Sequence, residues 1–523
     1  MRRNRQISIK NWLNHKPYNN QKPTDYYFVK LSNKVYKAIL SVDNSSKIYE
    51  YFDNEQIKHM SCFLVSYFED LISDSNIWNT FVKKHKELYD KVLPFYEIDE
   101  YFENEINYYD VCFLIWYFIS CDENLLAPDE YFILEIAGYI MDIFEEEWET
   151  APENTYLKKY YTIENNSADY YEARKLIDNI LFNSYLFHPD TGVELFISEL
   201  EILDDINNQP DEDILYKANL ILTENREEKL YKNHTKLLAL RGPEWAAELL
   251  GKDHKLSKGY INLSQKILGL FFYKGEDENN VFLEHIASSK EFNVTKKSFE
   301  KEFNISIDTI VYIGLIKWQD EWWFSGNYFT VPYNSETVSK ERNSQDSKRI
   351  ISSLDFNQEE LQKIIDRQLK IFKESNNNET IVFLKANEIN NFLTNQINLF
   401  NKKLAKSTPK EKFKANIDMS RAGNTIIFFN EKSGIEIAMG VISAFPAKNN
   451  PFYNEDDCFE DVVTLFTEKS ISPELVRYAI DNFKDKIVYF NTPLGEKVIE
   501  NLDFILRFYK TDNYYTKPGI AFN

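Results

Sequence analysis

Cysteine is scarce. The chain of 523 residues holds four, Cys62, Cys112, Cys121 and Cys458, three of them in apolar helical patterns, and no pair has zinc-site spacing. That usage predicts a reducing, cytoplasmic compartment. Long apolar runs are missing as well: the longest, Val111–Ser120, is too short to span a bilayer, so no membrane role is expected. The opening MRRNRQISIKNW is charged but lacks the apolar core of a secretory signal. No glycine-containing segment matches a phosphate-binding loop. Between Lys91 and Lys158 positive charge is absent altogether, while 17 Asp and Glu occur there.

What is present is acid, and it is unevenly placed. Net charge is −22. Residues 1–255 hold 27 Lys/Arg against 46 Asp/Glu, and residues 256–523 hold 34 against 37. Residues 2–37 invert the trend, with nine Lys/Arg and one acid, Asp25. Phosphates would be repelled by the first half, which argues against general nucleic-acid binding there. Crowded like charges destabilise a compact domain unless answered, so the basic arm is expected to lie across the acidic helices, or a basic partner to dock on them; a mimic of nucleic-acid charge and a solvated acidic surface without a partner are the other readings. Aromatic residues make up 15%, mostly Tyr and Phe.

The periodicity predicts a multidomain α+β protein. Residues 1–255 read as an all-helical domain with a basic N-terminal arm, and Ile106–Ser120, apolar nearly all round, as its central buried helix. Residues 256–332 carry about five short strands, the pattern of a small antiparallel barrel-like module. Residues 333–349 are polar and read as a linker. Residues 350–523 read as an α+β domain with a hairpin across Asn430–Gly434.

Candidate chemistry is thin. Trp318, Trp322, Trp323 and Phe324 crowd the tip of the strand module. They form a stacking face for a base or peptide, or they alternate between the barrel core and the neighbouring helices. Glu145, Glu146 and Glu147 are a docking patch or a cation site, although consecutive helical residues fan apart rather than converge. His59 and Cys62 share a helix face, an arrangement that can make a thiol nucleophilic; a buried structural cysteine is the plainer reading. His188-Pro189-Asp190 is an acid–base fragment or simply a turn. His285 and Glu284 point to opposite faces of a strand and cannot easily act together. Nothing converges, so no catalytic, cofactor or metal-binding residues are expected.

Four segments carry a resemblance: Trp12–Tyr27 (WLNHKPYNNQKPTDYY), Gly242–Leu250 (GPEWAAELL), Leu283–Phe299 (LEHIASSKEFNVTKKSF), and Ile435–Pro446 with Asn501–Phe508 (NLDFILRF). Together they resemble a family of large cytosolic Bacteroidota proteins catalogued as a domain of unknown function. The resemblance implies a full-length, single-chain bacterial protein and supplies no activity or cofactor. The expectation is therefore a non-enzymatic interaction or scaffold protein that binds a basic protein through its acidic helices. The alternatives are a hydrolase or nuclease whose site is assembled from distant residues, or nucleic-acid binding by the second half through the tryptophans and the basic loop Lys402–Lys414.

Overall fold

A computed structural model describes residues 6–42, 45–122, 125–207, 214–263, 266–299, 305–344, 347–348, 358–404, 414–418 and 423–515. The first five residues of the basic arm and most of the Lys402–Lys414 loop lie outside them. The architecture is mixed α+β, in two compact units. The first comprises Met1–Asp122, Pro128–Thr235 and Leu240–Phe356; the second comprises Glu123–Ala127, Lys236–Ala239 and Asn357–Asn523. No helix of the described residues is long and apolar enough to cross a membrane.

The first unit opens with helices α1 (Ile9–Leu13), α2 (Asp25–Ser41), α3 (Ser45–Tyr51), α4 (Asn54–Ile72) and α5 (Ile77–Tyr89). There follow α6 (Tyr108–Ser120), α7 (Tyr131–Glu147), α8 (Tyr170–Leu181), α9 (Val193–Asn207), α10 (Ile214–Lys232), α11 (Gly242–Leu250) and α12 (Ser257–Ile261). Helix α6 is buried from Asp110 to Ser120, as its all-round apolarity predicts. Helix α4 is equally central: Met60–Leu71 are all buried, although Ser61, Ser66, Glu69 and Asp70 are among them. Those polar residues hide its centrality from a hydropathy reading. Asp53 starts α4 with a capping box, its side chain accepting from the Glu55 and Gln56 amides while Gln56 reaches back to the Asp53 amide.

Helix α2 packs on both α4 and α7. Lys34 of α2 reaches Glu146 at 2.6 Å and Glu147 at 3.3 Å, and the Tyr27 hydroxyl donates to Glu147 at 2.7 Å. Part of the acid-only stretch is thus answered by the chain's own arm. Lys16 turns elsewhere, to the buried Glu69 of α4.

Five strands follow in the same unit: β1 (Ile267–Glu276), β2 (Asn280–His285), β3 (Glu291–Thr295), β4 (Ile310–Trp318) and β5 (Glu321–Val331). They close in the order β1-β2-β3-β5-β4. Four seams are antiparallel, but β3 meets β5 in parallel at Val294 and Trp322, so the module is not purely antiparallel. A parallel seam between strands distant in sequence leaves no turn signal to read. A bulge between Tyr273 and Gly275 bends β1, and Gly275 takes φ 124°, a conformation that disfavours a side chain. The barrel interior is packed by Ile267, Phe271, Leu283, Phe292, Ile313 and Leu315. The stretch read as a linker contains α13 (Ser335–Asn343), whose Val338 is buried against Phe272, Ile286 and Ile310.

The second unit holds a sheet of β6 (Ile381–Leu384), β7 (Thr425–Asn430) and β8 (Gly434–Met439), all antiparallel, with β7 central. Helices α14 (Gln358–Ser375) and α15 (Ile389–Leu404) cover it through Phe372, Leu393 and Phe400 against Ile427 and Phe429. Helices α16 (Cys458–Thr467), α17 (Pro473–Phe483), α18 (Pro493–Glu500) and α19 (Leu502–Tyr514) complete it. Lys510 is buried there and donates to the carbonyls of Leu465 and Glu468 at 2.8 and 2.5 Å, closing the end of α16.

Candidate metal centre

Three histidines from three separate parts of the helical region meet at one point: His15, His59 and His188. Each is placed by a different device. His59 stands on α4, less than two turns from the Asp53 cap. His188 opens a single π-helical turn, His188–Gly192, between α8 and α9; Pro189 is its second residue, and the Gly192 amide closes back onto the Phe187 carbonyl at 3.1 Å. His15 follows α1 and is held by its neighbours in the chain. Trp12 is fully buried and donates through its indole to Asp25 at 2.9 Å, and the Tyr18 hydroxyl donates to the same carboxylate at 2.8 Å. Lys16 donates to Ser66 at 3.0 Å, pairs with Glu69 and lies 3.7 Å over the Trp12 ring. Asn154 ties Glu69 and Tyr18 together at 2.8 and 2.9 Å. This network fixes residues 12–25 against α4 and delivers His15 beside His59.

One ligand-capable nitrogen from each ring lies within 4.8 Å of the others. His15 Nε2 and His59 Nδ1 are 3.2 Å apart, and the His15 and His188 ring centroids are 4.2 Å apart. In a tetrahedral zinc site, Zn–N bonds of about 2.0–2.1 Å put ligand nitrogens about 3.3 Å apart. The His15–His59 spacing already has that value. Burial, reinforced for two of the rings by the neighbouring histidines, disfavours the charged form of each. His188 is pushed down to about 4, His15 well below the ordinary imidazole range, and His59 below it by burial first. At neutral pH all three are uncharged bases with lone pairs available to a metal. His15 Nδ1, the ring nitrogen that does not face His59, is buried and has no hydrogen-bond partner among the described residues.

The cluster borders a cavity of about 660 Å³. His59 and His188 line it together with Phe52, Phe118, Phe182, Leu195, Phe196 and Ile197, and with the polar Asn14, Gln56, Asp122, Glu199 and Arg226. Two of the three histidines therefore face open space. A metal held by the three rings would have room for a further ligand on the cavity side, as catalytic zinc sites require and closed structural sites do not. Imidazole-only sites suit zinc, copper, nickel or iron and do not suit the oxygen-seeking magnesium or calcium.

Residues 6–296 match the family described as "Protein of unknown function (DUF3843)". The match covers more than half of the chain. The chain belongs to the DUF3843 family. All three histidines, the cavity wall and β1 to β3 lie inside the matched stretch. No curated protein and no solved structure matches the chain.

Of the residues singled out from the sequence, His59 and His188 belong to the cluster, and the others fall elsewhere within or beyond this DUF3843 stretch. Trp318 and Trp323 are 1% and 2% exposed, Trp318 against Tyr260 and Trp323 against Tyr170 and Tyr171. Trp322 and Phe324 point the other way and pack against the barrel core. Strand alternation has divided the four rings between two interiors. Glu145 is exposed, whereas Glu146 and Glu147 pair with Lys34. Cys62 is buried, and burial raises its thiol to about 12, so it is no nucleophile for His59. His285 Nδ1 meets Ser288 at 2.9 Å while Glu284 turns to Lys274.

No metal-ligating set is expected from the sequence; the fold nevertheless brings three histidines within reach of one cation. His59 and His188 each drew attention through a sequence neighbour, Cys62 and Asp190; their partner in space is His15, which drew none. The available signal was rarity: the chain has seven histidines, and His15 stands between the apolar anchors Trp12 and Tyr18.

Proposed function

We propose that this protein is a metalloprotein of the zinc class, and that its three-histidine centre presents a metal-bound water to a ligand held in the adjoining cavity. The observation that carries the reading is the convergence of three neutral imidazoles whose only hydrogen bond among the described residues is to one another. A cation bound by three histidines lowers the pKa of its water to about 7 and polarises a carbonyl, which makes hydrolysis the natural chemistry of such a site. Asp122 and Glu199 on the cavity lining offset part of the cation's charge. Cobalt(II) titration of the full chain tests the reading. The visible absorption of tetrahedral cobalt should appear and saturate near one equivalent. His15→Ala, His59→Ala and His188→Ala should each weaken binding by about 100-fold or more, since each removes one ligand. Featureless spectra, or spectra unchanged by all three substitutions, would sink it.

The acid-only stretch supports a second role, recognition of a basic protein. Glu97, Asp99, Glu100, Glu103 and Glu105 are exposed in the segment before α6, and Glu145 is exposed on α7. Such binding would weaken steeply as salt rises, and a salt-independent complex would contradict it.

A further inference from the structure

We infer that the cavity at the histidine centre is built for an uncharged carbonyl compound with an apolar chain, an ester or amide of a hydrophobic acid, and not for a phosphate ester. The inference rests on the metal-centre reading above and deepens it.

The walls are the first reason. Phe52, Phe118, Phe182, Leu195, Phe196 and Ile197 surround the space next to His59 and His188. Phe196 and Ile197 remain 59% and 50% exposed, and with Val193 and Leu200, also exposed, they form a stripe at i, i+3, i+4 and i+7 along α9. This apolar stripe runs from the cavity lining to Leu200 beyond it and is left exposed among the described residues. A ligand chain leaving the cavity would lie along it and be removed from water by it.

Charge is the second reason. Among the described residues that line the cavity, Arg226 is the one cation. Its Nε and Nη2 donate to the two carboxylate oxygens of Asp178 at 2.7 and 2.9 Å, and its guanidinium lies 5.2 Å over the Phe182 ring. It is engaged as a fork on a carboxylate and is not presented to a ligand. Asp122 and Glu199 are anionic. The amides that open α9 are engaged too: Gly192 N–H donates to the Phe187 carbonyl, and Val193 N–H to the carbonyls of His188 and Asp190. A phosphate would meet the carboxylates of Asp122 and of Glu199, which lies 3.9 Å from Arg226, and no unengaged cation among the described lining residues; apart from the metal, its side-chain donors would be the uncharged amides of Asn14 and Gln56. A neutral ester meets no such penalty.

The reaction balances with water alone. The water oxygen adds to the acyl carbon, the bond from that carbon to the alkoxy oxygen breaks, and the alcohol leaves with a proton from the water. One ester and one water give one carboxylic acid and one alcohol, with no change in oxidation state. The product ionises to a carboxylate beside Asp122 and Glu199, which favours its release.

The test uses the zinc-loaded full chain with p-nitrophenyl acetate, butyrate and octanoate, and with p-nitrophenyl phosphate. Zinc content is measured on the same samples. Burying a methylene is worth up to about a fourfold gain in binding, so kcat/KM should climb from acetate to octanoate by a few-fold per methylene until the cavity is filled. The phosphate should be turned over no faster than by the zinc-free chain. Ile197→Asp, at an exposed position, should flatten the chain-length series while zinc is retained. Zinc bound with no chain-length dependence, with the phosphate preferred, or with no ester turnover above the zinc-free chain would overturn the inference and leave the metal centre standing. Absence of bound zinc would remove the reading beneath it as well.

Discussion

Two polar clusters lie side by side against α4, and one is complete while the other is not. His15 and Lys16 are adjacent in the chain but belong to different clusters. Around Lys16, the buried charged groups all have protein partners: Lys16 with Ser66 and Glu69, Glu69 with Asn154, Asn154 with Tyr18, and Asp25 with Trp12, Tyr18 and the Lys22 amide. Around His15, the imidazoles have only each other among the described residues, one nitrogen has no partner there, and the remaining side is a cavity. A buried network that satisfies itself holds a fold together. A buried cluster that stays unsatisfied points to something the chain does not supply.

If the two clusters differ in this way, substitutions should affect them differently. The largest effect is expected at the complete one. Lys16→Ala leaves Glu69 buried and unpaired and should cost about 3–5 kcal/mol in urea or thermal unfolding. His188→Ala should cost the metal-free protein far less, because it breaks no complete network. Equal losses would erase the distinction.

A second buried acid sharpens the comparison through pH. Asp110 accepts at one oxygen, Oδ2, from Tyr67, Trp78 and Tyr101, at 2.8, 2.9 and 3.1 Å, and its Oδ1 is buried without a partner among the described residues. Burial raises it to about 7. The unfolded chain gives up this proton near pH 4 and the folded chain holds it to about 7. Its contribution is therefore fully present below pH 4 and lost as pH rises to 7, by up to about 4 kcal/mol. Asp110→Asn should remove that slope, so the wild type should gain on the variant as pH falls from 7 to 4. A constant difference across that range would contradict the assignment.

Metal should act on the incomplete cluster alone. Zinc at about 100 times its dissociation constant should stabilise the wild type by about 2.7 kcal/mol and His188→Ala by nothing measurable. The smallest effect belongs to the surface: Lys34→Ala, which releases Glu146 and Glu147, should cost less than about 1 kcal/mol and less still in high salt. A larger loss would mean that the arm's grip on α7 is a main support of the fold.

Local signals made much of the fold legible. The apolar run of α6, the five strands from β1 to β5, the β7–β8 hairpin and the Ser472-Pro473 helix start all announce themselves in a few residues. The parallel seam at Val294 and Trp322 does not, because it joins segments that share no turn. Helix α13 was hidden for another reason: one apolar residue, Val338, anchors an otherwise polar stretch. The candidate site was the least legible part. The tryptophans are dense in sequence but are parted by strand alternation, while His15, His59 and His188 are far apart and are joined by packing. Density along the chain does not make convergence, which is a property of the folded core.

Zinc content after exhaustive dialysis of the whole 523-residue chain, compared with that of His188→Ala, decides whether the three histidines hold a metal. About one zinc per chain is expected in the wild type and close to none in the variant. No zinc in the wild type, or the same amount in both, would contradict it.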